Sequence, residues 1–131
     1  MRGALSLCAL AAPLAPALAA ELRCRLQDAD RAAELRTGLT ADPYAHQVVQ
    51  LDHFRFAAVM VGDGDAIDYV KVYAFYVADS HGARMLHAAT YTHPRPLPDP
   101  APDSLTGTVR LYEPRIGREF RYGCALVERA P

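Results

Sequence analysis

The sequence predicts a mainly β protein: a single antiparallel β-sandwich or small partly open barrel with at most one short helix, its N- and C-terminal strands joined by a disulfide. Three observations carry this. Two cysteines sit near opposite ends of the chain, each inside a run whose apolar residues alternate with polar ones. Between them lie long runs of β-branched and aromatic residues broken by Gly, Asp and Pro clusters. Helical periodicity is scarce throughout. With 131 residues, 51% of them apolar and 22% charged, the chain has room for one packed domain.

Residues 1–20 read as a cleaved secretory signal. Arg2 gives the positive start, Ala4 to Leu14 the apolar centre, and Ala17-Leu18-Ala19 a small-x-small cleavage site. A retained span is the poorer reading, because Pro13 and Pro16 interrupt the segment and a membrane helix needs about 20 apolar residues. Cys8 then leaves with the leader, and residues 21–131 remain as the globular β domain. Loss of Arg2 moves the formal charge from −1 to −2, so neither nucleic acid nor an anionic membrane attracts the chain by bulk charge.

In 21–27, Leu22, Cys24 and Leu26 share one face of a strand, and Arg23, Arg25 and Gln27 share the other. In 118–127, Phe120, Tyr122, Cys124 and Leu126 oppose Glu119, Arg121 and Gly123. Both thiols therefore point inward. An even cysteine count after export makes a structural Cys24–Cys124 bridge the expectation, since a reactive thiol needs a close second cysteine or an activating basic pocket. Asp28 to Thr37 is expected as a short helix capped by Asp28 and ended by Gly38, with a strand through Leu35 as the alternative.

Residues 47–61 read as one strand ending at Gly62-Asp63-Gly64-Asp65, whose Asp-Gly pair suits a tight hairpin. The next strand, 67–77, is apolar on both faces except at Asp68 and Lys71, which predicts a central position with both sides covered. After the turn 79–82, residues 84–92 return beside it. Prolines at every second position of 94–102 deny a ladder its amide donors and predict an extended loop. Leu105, Gly107, Val109 and Leu111 alternate with polar residues as a further strand, giving six strands in all.

Chemistry-bearing residues are sparse. Asp63, Asp65 and Asp68 are weak candidates for a Ca²⁺ site, but their spacing is not that of an EF-hand and a hairpin explains the Asp-Gly pair without metal. His46, His53, His81, His87 and His93 form neither a helix pair nor a Cys/His cluster. Ser80 and Ser104 lack a nucleophile elbow. No cofactor is expected. A sheet face bearing tyrosine and arginine is the best candidate for contact with another macromolecule, because both residues are enriched at binding hot spots. At the level of architecture the plan resembles small envelope binding and inhibitor proteins, a likeness that carries no site residues over. The functional expectation is a periplasmic or secreted, non-enzymatic binding or inhibitor-type domain for an envelope or extracellular macromolecule. The alternatives are a small hydrolase, marked by a convergent carboxylate or histidine pair, and a small-ligand carrier, marked by an apolar cavity.

Overall fold

The computed structural model describes residues 19–64, 66–78 and 82–129. The signal-peptide expectation thus falls largely outside the described residues, although Ala19 and Ala20 already pair with Arg129 and Glu128.

Eight strands form one sheet: β1 (Ala19–Asp28), β2 (Arg31–Thr40), β3 (Gln47–Gln50), β4 (Phe54–Asp63), β5 (Ala66–Ala78), β6 (Gly82–Thr92), β7 (Val109–Glu113) and β8 (Arg118–Arg129). Their order is β6-β5-β4-β2-β1-β8-β7, with β3 also on β4. Every pairing is antiparallel except the short junction of β2 with β4, where only Leu39 with Met60 and Thr40 with Val61 meet. That junction divides the sheet into two curved halves, β2-β1-β8-β7 and β3-β4-β5-β6. Their free ends approach where Arg84 of β6 reaches Glu113 of β7 at 3.9 Å, so the sheet is a nearly closed barrel.

Inward residues of both halves fill the space between them. Leu22, Cys24 and Leu26 of β1 face inward with Phe120, Tyr122, Cys124 and Leu126 of β8, against Phe54, Phe56, Ala58 and Met60 of β4 and Val70, Val72 and Ala74 of β5. The two halves meet through aromatic rings: Phe120 stacks on Phe54 at 5.2 Å, and Phe56 lies 4.8 Å from Tyr122. Burial holds the Tyr122 hydroxyl far above its ordinary ionisation range.

The Cys24–Cys124 disulfide joins directly opposed residues of the first and last strands. The N–H of Cys124 is bonded to the Thr106 hydroxyl and its carbonyl accepts from Leu105 N–H. Its backbone groups therefore turn away from β1, which makes this a non-hydrogen-bonded rung, where side chains approach most closely. Such a bond belongs to oxidising compartments. Among the described residues no helix is long and apolar enough to cross a membrane.

Three local expectations are corrected. The segment 28–37 is not a helix: the chain turns at Ala29, whose φ is 53°, and returns as β2 with Leu35 opposite Cys24. The inward alternation of Ala33 and Leu35 against β1 outweighs the helix propensity of the alanines. The run 47–61 is two strands, β3 and β4, because the chain reverses at Leu51-Asp52-His53. That reversal is held from outside, since the buried Asp28 carboxylate accepts the His53 backbone N–H at 2.9 Å. The strand expected from Leu105 begins only at Val109, since Gly107 adopts a φ of 69° and donates to the Asp103 carbonyl in a turn. Among the described residues the strand count is accordingly eight, not six. The proline segment forms no strand, yet Leu97 bridges Val127 in parallel and covers the end of β8.

Candidate functional site

The outer face of β2-β1-β8-β7 carries the charge of the sheet. Strand alternation turns Glu21, Arg23, Arg25 and Gln27 outward on β1, and register sets Arg36 beside Arg23, Glu34 beside Arg25 and Arg121 beside Gln27. Arg110 of β7 lies next to Arg121.

Most of these arginines already have carboxylates. Glu21 meets Arg23 at 2.6 Å, Arg129 at 2.7 Å and Arg36 at 3.9 Å, while Glu34 holds Arg36 at 2.9 Å and Glu119 approaches Arg110 at 3.8 Å. Among the described residues, Arg25 and Arg121 alone on this face have no carboxylate within 4.0 Å.

Both line a groove of about 720 Å³ together with Gln27, Glu34, Pro102 and Asp103, a volume suited to a ligand group or a partner side chain. Gly123 forms part of the floor. A Cβ there would come within 2.8 Å of the Asp103 Cβ, so the absence of a side chain lets residues 102–108 lie directly on β8. Four contacts fix that wall. Gly107 N–H donates to the Asp103 carbonyl, the Thr108 hydroxyl to the Asp103 carboxylate, Leu105 N–H to the Cys124 carbonyl, and Cys124 N–H to the Thr106 hydroxyl. The wall thus hangs from a disulfide residue. The carboxylates in the groove are engaged, Glu34 by Arg36 and Asp103 by Thr108, leaving two guanidinium groups as the charges of the groove without a partner among the described residues. Their planar forks match carboxylate, phosphate or sulfate oxygens.

Glu21 organises the cations at one end of this face. The Arg23 hydrogen bond holds its carboxyl below the ordinary value of 4.5, against the opposing effect of burial and with help from the charges of Arg129, Arg23 and Arg36. A lowered folded value means stability that is present above 4.5 and is lost as pH falls through the folded value. Glu21→Gln is therefore expected to be less stable than the parent at pH 7, with the gap closing as the pH falls below 4.5 through the lowered folded value. Urea denaturation on either side of that value checks this.

The tyrosines and arginines do not share one face. Tyr122 is buried in the core and Tyr76 and Tyr91 pack against it, while Tyr69 and Tyr73 lie on the outside of the other half. Only Tyr112, 63% exposed on β7, stands among the arginines. Asp63 and Asp68 are exposed at the β4–β5 hairpin, where Gly64 has a φ of 63°; Asp65 lies outside the described residues. Among the described residues no three Asp, Glu, His or Cys side chains form a metal cluster. Ser80 and His81 also lie outside the described residues. The closest approach to a catalytic pair is Asp28 with His53, but the ring Nδ1 is 3.6 Å from the carboxylate, beyond hydrogen-bond length. The short contact is to the His53 backbone, so Asp28 holds a turn. Strand alternation reveals the outward arginines from sequence. The groove wall, and which two arginines lack a carboxylate, depend on cross-strand register and on the loop 102–108. No family model, curated protein or solved structure matches the chain significantly.

Proposed function

We propose that this is an exported, periplasmic or secreted, binding or inhibitor-type domain that holds an acidic group of an envelope or extracellular macromolecule in the Arg25–Arg121 groove. The observation that carries the reading is the pair of guanidinium groups that, among the described residues, have no carboxylate on a face where the other arginines have them. The rigid wall supports it too, because a preformed site spends less binding energy on ordering. The carrier alternative wants an apolar cavity in the barrel, and Phe54, Phe56, Phe120 and Tyr122 occupy that space. For the hydrolase alternative, the Asp28 and His53 side chains stand beyond hydrogen-bond length.

Calorimetric titration with poly-L-glutamate as the acidic probe tests the proposal. Binding that weakens with added salt is expected, and Arg25→Glu with Arg121→Glu is expected to weaken it about 100-fold, roughly tenfold per guanidinium. Equal affinity of parent and double variant, or no binding by the parent, refutes the assignment.

A further inference from the structure

A second groove, of about 480 Å³, adjoins the first at the end of the barrel. Gln27 and Arg121, partners in the β1–β8 ladder, line both, so the two grooves meet across this pair. The second groove adds Ile116, Gly117, Arg118 and Glu119 from the β7–β8 hairpin. Alternation puts Arg118 on the side of Phe120, but it is the first residue of β8, where the barrel ends, and there it lines the groove. Among the described residues Arg118 has no carboxylate within 4.0 Å, whereas Glu119 already faces Arg110 at 3.8 Å. Three guanidinium groups thus follow one line along the strands. Arg25 stands opposite Gly123, two residues from Arg121, and Arg118 lies three residues away on the other side. At about 3.3 Å per residue the run spans roughly 17 Å, the length of a six-residue extended segment.

We infer that the two grooves form one track for an extended acidic segment of a partner polypeptide, about six residues long, whose carboxylates meet Arg25, Arg121 and Arg118 in turn. The inference rests on the Arg25–Arg121 reading and extends it to a second subsite and a class of partner. Gln27 favours a polypeptide. Its amide nitrogen donates to the Ala29 carbonyl at 2.6 Å, which leaves the amide oxygen as an acceptor between the grooves. A polypeptide brings a backbone N–H at nearly every residue, while a phosphodiester backbone brings none. Ile116, 40% exposed, gives the second groove an apolar surface for the side chain between two acids. An extended segment along the track keeps its acids on the guanidinium forks, each a charge-assisted contact.

Calorimetric titration of the oxidised protein, expressed from its full chain, with end-blocked triglutamate and hexaglutamate tests this. Triglutamate reaches from the row of Arg25 to that of Arg121, and only hexaglutamate reaches Arg118 as well. Arg118→Gln is expected to weaken hexaglutamate about tenfold and to leave triglutamate within about twofold of the parent. Arg118 is half-buried, so Ile116→Glu, on the exposed hairpin, is the second variant, and it should discriminate between the peptides in the same direction. Circular dichroism and the melting temperature verify both folds. Arg55→Gln, on the other half of the barrel, removes the same charge and should change neither affinity. If the parent binds triglutamate but neither groove variant alters hexaglutamate, the second subsite is overturned and the Arg25–Arg121 reading stands. Equal weakening of both peptides by the two variants also overturns the second subsite. If hexathymidylate or a six-sugar oligouronate binds as tightly as hexaglutamate, the polypeptide assignment falls. Binding of neither peptide by the parent overturns the Arg25–Arg121 reading and this inference with it.

Discussion

Removing the sulfur bridge, by reduction or by replacing both Cys24 and Cys124 with alanine, is expected to cost about 4.7 kcal/mol. The bond spans 100 residues, so the reduced denatured chain regains nearly all the freedom its ends can have. Against a total of about 5–15 kcal/mol for a domain of this kind, that loss decides whether the fold survives at 37 °C. The melting temperature should fall by about 15–20 °C, read by calorimetry on oxidised, reduced and alanine forms. Alanine serves better than serine here, because the two sulfurs are fully buried and a hydroxyl would add an unsatisfied polar group. A loss under about 1 kcal/mol would mean that the denatured chain already keeps its ends together, so that the bridge constrains little.

The position of the bond also governs the groove. Cys124 is the residue on which Leu105 and Thr106 hang, so the rung that fastens β8 to β1 is the rung that fastens the wall of the site. Oxidation of the cysteines and the shape of the groove are linked through one residue.

How much of this was legible in the sequence follows from the range of the forces involved. Alternation is a local property, and it placed the cysteines, their apolar neighbours and the outward arginines of β1 and β8 correctly, because a one-residue slip would invert every side chain at once. The double-sided apolar run of β5 indicated a central strand with both sides covered; β5 does lie between β4 and β6, but Lys71, Tyr73 and Phe75 on its outward side are only half-buried. The failures are the places where a distant group sets the backbone. The reversal at Leu51-Asp52-His53 is held by Asp28, 25 positions earlier, and no property of 47–61 announces it. Residues 28–37 hold helix-favouring alanines, and only the presence of β1 beside them converts the segment to a strand. Alternation at Leu105 and Gly107 suggested a strand, but the left-handed backbone at Gly107 bends the chain into the groove wall instead. The groove itself was invisible for the same reason, since Arg25 and Arg121 become neighbours only through the pairing of β1 with β8.

Phe120→Ala is expected to destabilise the protein by about 3–5 kcal/mol, the second-largest effect of a defined change. Phe120 is fully buried on β8 and contacts rings from both halves of the barrel: it stacks on Phe54 at 5.2 Å and lies 6.2 Å from Phe56 and 6.1 Å from Tyr122. Removing it opens a cavity where the halves meet, and the β2–β4 junction, with only two residue pairs, has little ladder with which to compensate. Phe120→Leu, which keeps most of the volume, should cost clearly less, and Tyr112→Ala, on the exposed edge, should lie within about 0.5 kcal/mol of the parent. Urea titrations of the three variants measure the differences. The neighbouring Arg121 points to the opposite face, and its position is fixed by the β1–β8 and β7–β8 ladders rather than by the ring beneath. Below its transition, then, Phe120→Ala should still bind the acidic probe at near-parental affinity. If its affinity falls in step with its stability, the groove depends on core packing as well as on strand register, and the wall at residues 102–108 is less rigidly held than its hydrogen bonds indicate.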